Sequence, residues 1–339
     1  MGIQAIFFWK IKRNEKNYRM LMDITVIIVS WNNQNLIKEC LQKLTEQSIQ
    51  AKRIIVIDNN SSDHSADVAD TFENVEVLKM DSNLGFAAGN NRALEECGTE
   101  WVALLNPDAF PEKDWIKALQ EATLNSPTVT AFGSRQLCEA DTSIIDGLGD
   151  SYHISGQAWR TRHGAQQKED DLIAKEIFSP CAAAALYKRQ ALIDIGGFDE
   201  DYFCYMEDVD LGFRLRLAGH EILSAPSAIV HHVGSGSTGG QHSDFAVYHG
   251  HRNLVWTYIK NMPHFLFWFL LPLHILLNII TIVWFCTRGQ GQIILRAKMD
   301  AMKCLPYVWT KRRHVQRRRV CSTLDIWRVL NKGLYGKNS

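Results

Sequence analysis

Between Ile24 and Asn106 the chain alternates short β-type runs with helical patterns. The runs are Ile24–Val29, Arg53–Asp58, Val75–Leu78 and Trp101–Asn106. The first, second and fourth are largely apolar, as strands buried on both faces must be. Between them, Leu36, Cys40, Leu41 and Leu44 share one helical face. Ala66, Val68 and Ala69 open a weaker helix, and Ala87–Cys97 makes a third. A βαβαβαβ series builds a parallel sheet with helices on both sides and right-handed crossovers.

The remainder is less regular. Residues 110–180 are mixed, Gly-rich and polar. Ile177–Gly197 reads as a buried small-residue segment, then a helix and turn. Asp208–Ala218 reads as a helix, and Gly234–Gly240 as a flexible loop. Phe265–Phe285, inside the apolar run His264–Cys286, holds no charged residue. At ~1.5 Å per residue it is long enough to cross a ~30 Å hydrocarbon core. Pro272, His274 and Asn278 interrupt it, so a bent, interfacial or re-entrant helix pair is the alternative. Its length and terminal aromatics speak against a buried helix of a soluble protein. The expected organisation is an extension over 1–22, an α/β domain over 23–255 and a membrane-associated helical, basic region over 256–339.

Formal net charge is zero, but from Thr287 onward there are 13 Lys/Arg against 2 Asp/Glu, and before it 24 against 35. A basic tail on an acidic body suits an anionic surface, with Lys311–Arg319 facing headgroups on the cytoplasmic side. No aromatic-interleaved nucleic-acid motif accompanies it. The 8 cysteines contain no CxxC pair, which fits a reducing compartment. Ala5–Trp9 is followed by charge and no small-residue cleavage site, unlike a secretory signal.

In an open parallel sheet, ligands bind beyond the carboxyl ends of the strands. Three polar clusters fall there: Ser30-Trp31-Asn32-Asn33, Asp58-Asn59-Asn60-Ser61-Ser62-Asp63 and Asn106-Pro107-Asp108. Turns and helix caps use the same residue types. Asp58 and Asp108 stand out because both lie on the one ligand-binding edge. No GxGxxG follows the first strand and no GxxxxGK[ST] occurs, which disfavours a dinucleotide site and excludes a P-loop. A nucleotide can still bind through its base, with Asp58 accepting from a pyrimidine imide N–H and Trp31 packing nearby.

Taken in order, these clusters, Asn83-Leu84-Gly85-Phe86-Ala87-Ala88-Gly89-Asn90-Asn91, Gly196-Gly197-Phe198-Asp199-Glu200 and Glu207-Asp208-Val209-Asp210-Leu211 resemble glycosyltransferase family 2 over roughly residues 23–255. The resemblance implies a GT-A fold, a Rossmann-like nucleotide-binding sheet with an acceptor-side extension, to which the C-terminal hydrophobic and amphipathic helices are added. It also implies an inverting mechanism and a nucleotide-diphosphate sugar donor. Asp208 then matches the general base. Ser30, Asn32, Asp58, Asn83, Gly85, Asn91, Asn106 and Asp108 fall on the donor-binding side. Asn106–Asp108 occupies the metal-binding DxD position with Asn in place of the first acid. The metal set is Asp108 with His231 or His232, His231 being preferred by its spacing to Gly234 and Ser237.

Trp159, Arg160, Glu207 and Arg252 are placed on the acceptor side, Arg252 as a phosphate contact. The stretch Asp146–Gly164 resembles a rhamnosyltransferase-like subgroup. A diphosphate leaving group calls for a hard cation, Mg2+ or Mn2+. The expected partners are a nucleotide-sugar donor (deoxythymidine-diphosphate rhamnose or a uridine-diphosphate sugar), a lipid-linked saccharide acceptor and the membrane, without nucleic acid. The alternatives are a sugar nucleotidyltransferase and a non-catalytic membrane scaffold of the same fold.

Overall fold

The structure, a computed structural model, describes residues 23–234 and 242–333. The 1–22 extension and nearly all of the 234–240 loop lie outside the described residues. Strands β1 (Ile24–Ser30), β2 (Arg53–Asp58), β3 (Val75–Lys79) and β4 (Trp101–Leu105) alternate with helices α1 (Gln34–Thr45), α2 (Ser65–Ala69) and α3 (Gly85–Glu96). They pair in parallel, as expected. Alternation along β1 sends Ile24, Val26 and Ile28 to one core and Ile27 and Val29 to the other.

The mixed region completes the sheet. In order come β5 (Ala109–Pro111), α4 (Trp115–Asn125), β6 (Ala131–Cys138), β7 (Asp141–Gly147), the hairpin β8 (Asp150–Tyr152) and β9 (Ala158–Arg160), then β10 (Ala184–Lys188), α5 (Arg189–Asp194), α6 (Glu207–Leu217) and β11 (Ile222–His232). The strand order is β3-β2-β1-β4-β10-β6-β11-β5, with β7 beside β6. β10 is antiparallel to both neighbours, so the sheet is mixed beyond β4.

Four long or medium helices and one short one follow: α7 (Asp244–Asn261), α8 (His264–Thr287), α9 (Gly291–Lys303), α10 (Leu305–Arg317) and α11 (Thr323–Val329). α8 is one continuous helix that includes Pro272, not a helix pair. The border expected at 255 falls inside α7, because Tyr258 and Ile259 share a third core with Tyr152, Tyr202 and Phe213 of the α/β domain. The basic stretch is only partly outward-facing. Lys311 pairs with Asp199 and Asp201, and buried Arg312 donates to the carbonyls of Ile259 (2.7 Å) and Met262 (2.6 Å).

Candidate active site

The register sets Ser30 beside Asp58 at the carboxyl ends of β1 and β2. Both are buried, and Ser30 Oγ and Asp58 Oδ1 have no hydrogen-bond partner within the described residues. Buried polar atoms are almost always paired, so two orphans at a sheet edge mark a place for ligand donors. Asn32 holds the rim: its Oδ1 accepts from Ser62 N–H (2.8 Å) and its N–H donates to Ser61 Oγ (3.0 Å).

The 83–91 segment plays a different part from the one expected. Asn83 Oδ1 accepts from Gly85 N–H (2.9 Å), closing the turn into α3. Gly85 has φ +82°, and a Cβ there would lie 2.6 Å from the Phe203 carbonyl oxygen. Asn91 ties α3 to the 198–200 segment. Its Oδ1 accepts from Phe198 N–H (2.8 Å), and its Nδ2 donates to Phe198 O (2.9 Å) and Glu200 (2.9 Å).

Asp108 and His232 meet because β5 runs antiparallel to β11, with His232 opposite Ala109. His232 Nδ1 lies 2.8 Å from Asp146 Oδ2, while its Nε2 lies 3.4 Å from Asp108 Oδ1. That Nε2 is buried and lacks a hydrogen bond within the described residues. Burial pushes the Asp108 carboxyl up, but the His232 imidazole outweighs it and holds the carboxyl below its usual range. Burial likewise lowers His232, and Asp108 and Asp146 more than reverse that.

Here the expectation for His231 is corrected. Successive side chains on a strand point to opposite faces. His231 Nε2 sits 3.1 Å from Glu112, in a cavity of about 730 Å³ lined also by Glu39, Lys43, Phe110 and Glu139. That cavity contains none of Asp58, Asp108 and Asp208. An imidazole fixed through Nδ1 by a carboxylate, with Nε2 open beside a second carboxylate, is the usual setting of a metal-ligating histidine. The N/O donor pair fits a divalent cation such as Mn2+ or Mg2+. No group of three metal-ligating side chains occurs among the described residues, so other ligands would have to come from a diphosphate or water.

Asp208 lies at the N-terminus of α6. Its Oδ1 accepts from Val209 N–H (2.8 Å) and its Oδ2 from Ala182 N–H (3.3 Å). The next residue, Ala183, accepts from Asn106 N–H (2.9 Å). The 182–183 segment therefore holds Asp208 on one side and the Asn106–Asp108 turn on the other. Burial raises the Asp208 carboxyl above its usual value. Glu207 is buried with Oε2 unpaired within the described residues, and burial with the Asp208 charge raises it further. Asp210 faces away, paired with Arg214 (2.8 Å) and Lys260 (2.8 Å).

The backbone leading to Asp208 is strained. Phe203, Tyr205 and Met206 all have positive φ (62°, 66° and 68°), each costing of order 1–3 kcal/mol. Buried Asn253 holds them, its Nδ2 facing the carbonyls of Tyr202 (3.0 Å), Cys204 (3.0 Å) and Tyr205 (2.8 Å). Arg252 ties down the same loop. Its Nη2 donates to Asp201 O (2.8 Å) and Tyr202 O (3.1 Å), with the guanidinium over Trp256. Arg160 is also relocated: it pairs with Asp146 and approaches His232 Nδ1 (3.5 Å), on the side of the Asp108 cluster. Trp159, one residue earlier, takes the other face of β9, near His153. Asp146, Asp150 and Asn253 are site residues that the sequence reading passes over. Asp150 is buried, and burial with the charge of Asp208 raises its carboxyl well above the usual value.

Two unpaired buried oxygens at the carboxyl edge of the parallel half, joined across one segment to a carboxylate–histidine pair and an acid at a helix start, sit on a sheet of the GT-A type. The family model described as glycosyl transferase family 2 matches residues 25–196. The chain belongs to that family. It is 28% identical over 239 residues to the N-acetylglucosaminyl-diphospho-decaprenol L-rhamnosyltransferase of Mycobacterium tuberculosis, covering 64% of this chain and 78% of that one. The O-antigen chain rhamnosyltransferase RfbN of Salmonella typhimurium is 27% identical over 217 residues (62% and 66%). These relatives agree with a rhamnosyltransferase-like subgroup. A mannosyltransferase from Pyrobaculum calidifontis, solved with GDP-Man and Mn2+, shares the fold at a TM-score of 0.52 and 18% identity, over 96% of this chain and 95% of its own.

Proposed function

We propose that this glycosyltransferase moves a sugar, with inversion, from deoxythymidine-diphosphate rhamnose or a uridine-diphosphate sugar to a lipid-linked saccharide at the cytoplasmic face of a membrane. The observation that carries the reading is the bridge at Ala182-Ala183, which sets Asp208 opposite the Asp108–His232 pair. The relatives' acceptors, a diphospho-decaprenol and an O-antigen chain, support the acceptor class.

Each residue has a role in this reading. Ser30 and Asp58 offer their unpaired oxygens to the pyrimidine base and ribose. Asp108 and His232 would hold a divalent cation, which supplies positive charge to the diphosphate leaving group. Asp146 orients His232, and Arg160 neutralises Asp146. Asp208 takes the proton from the acceptor hydroxyl. That oxygen bonds to the anomeric carbon as the bond to the diphosphate oxygen breaks, and the negative charge leaves on the nucleoside diphosphate. A general base of this kind contributes ~10²–10⁴-fold. Glu207 is buried beside Asp208, and that burial, with the Asp208 charge, raises its carboxyl above the usual value. The catalytic unit then runs to the end of α7, with the membrane-associated region beginning at α8.

Calorimetry of thymidine-, uridine- and guanosine-diphosphate sugars, with Mn2+ and then with chelator, tests the reading. Binding of one pyrimidine donor that chelator abolishes is the expected result. Folded protein that binds none of them would sink it.

A further inference from the structure

α8 is the one helix among the described residues long and apolar enough to cross a bilayer. Both of its ends, however, are tied to the same globular body. Before it, α7 belongs to the third core of the α/β domain. After it, the chain returns to that domain repeatedly. Lys311 pairs with Asp199, Val320 N–H donates to Leu217 O (2.8 Å), and Asn331 N–H donates to Tyr152 O (2.9 Å). A single crossing would place these partners on opposite sides of the membrane.

The middle of the helix is tied down as well. His274 Nδ1 lies 2.8 Å from Ser155 O in the β8–β9 turn, and the ring stacks on Tyr258 at 3.9 Å. A Cβ on Gly156 would lie 2.6 Å from that Nδ1. Leu266, Phe267, Leu270 and His274 make a buried face on the first half of the helix, and Phe285 is buried near its end. The opposite face carries Phe265, Trp268, Phe269, Leu276, Ile280 and Trp284, each at least half exposed. Over 24 residues this stripe is about 36 Å long.

We infer that α8 lies in the plane of an anionic bilayer, its outer stripe in the acyl boundary, and holds the described residues on one side of the membrane. Charge complementarity selects lipid as the occupant. Arg288 stacks on Trp284 at the helix end, 4.3 Å from guanidinium to ring. α9, packed on α8, exposes Leu295, Met299 and Met302 beside the outward Arg296 and Lys303. An apolar stripe ending in an aromatic with a cation beside it suits the boundary between acyl chains and headgroups. The inference deepens the membrane reading above but needs neither the donor nor the acceptor assigned there.

The full chain with a C-terminal epitope, in sealed membranes whose catalytic domain faces outward, tests it. Added protease is predicted to remove the epitope and digest the catalytic domain together; an epitope protected inside overturns the inference. Flotation with phosphatidylglycerol–phosphatidylcholine vesicles is the second arm. Leu276→Asp with Ile280→Asp should lower vesicle binding about tenfold or more while donor affinity stays unchanged. Undiminished vesicle binding, or a stable dimer through this face with no affinity for vesicles, would overturn it. Vesicle binding without any donor binding would instead remove the transferase reading and leave this one.

Discussion

His231 and His232 show how much rests on one residue of strand register. Both follow Ile229 and Val230, so alternation of apolar residues cannot say which histidine points inward. The pairing with β5 decides it, setting His232 opposite Ala109 and beside Asp108. His232→Ala should therefore weaken Mn2+ binding, and Asp146→Asn should weaken it about 10–100-fold, by titration of the ion's paramagnetic resonance. His231→Ala should leave the affinity unchanged, and the reverse pattern would refute the assignment. Asp208 carries a pH prediction. Its carboxyl is raised by burial and acts as base only when ionised, so kcat/KM should climb with pH through an apparent pKa above the unperturbed 3.8. An acid limb at or below that value would contradict the base assignment.

At the scale of elements, the parallel half was legible because β1, β2 and β4 are buried on both faces and read as apolar runs. The mixed half was not. β6 carries Ser134, Arg135 and Gln136 into buried positions, so its residues look like a polar loop until β10 and β11 are seen to flank it. The helix expected at Asp208–Ala218 is α6, whose start at Glu207 lies one residue earlier; it is buried on nearly every side. The 203–206 loop left no pattern, because positive φ at Phe203, Tyr205 and Met206 is imposed from outside, by Asn253 on α7. Asn253→Ala should cost about 1–3 kcal/mol in urea unfolding. It should lower kcat while leaving donor affinity close to wild type. A fall in donor affinity with kcat preserved would show that the loop does not serve Asp208.

At the scale of the molecule, buried charge ties the α/β domain to the C-terminal helices. Asp199 binds both Lys260 of α7 and Lys311 of α10, and Asp210 on the helix of the base binds Lys260 in turn. Burial would raise Asp199, but the two ammonium groups overcome it and hold the carboxyl far below its usual range. A carboxylate depressed on folding stabilises above its unfolded pKa and loses that contribution as pH falls. Asp199→Ala should thus cost about 3 kcal/mol at neutral pH, with the difference from wild type shrinking below about pH 4. A pH-independent difference would mean that packing, not charge, joins these helices.

The central claim is that Asp208 is the base of a sugar-transfer reaction, and Asp208→Asn tests it most directly. The variant keeps the side chain's size and removes its capacity to take a proton, losing one of its two accepted backbone hydrogen bonds, the longer being that from Ala182 N–H. Turnover with the donor found by calorimetry should fall ~10²–10⁴-fold, with donor affinity within about twofold of wild type. Turnover that survives the substitution would contradict the account, and the proton would have to leave by another group of the same cluster.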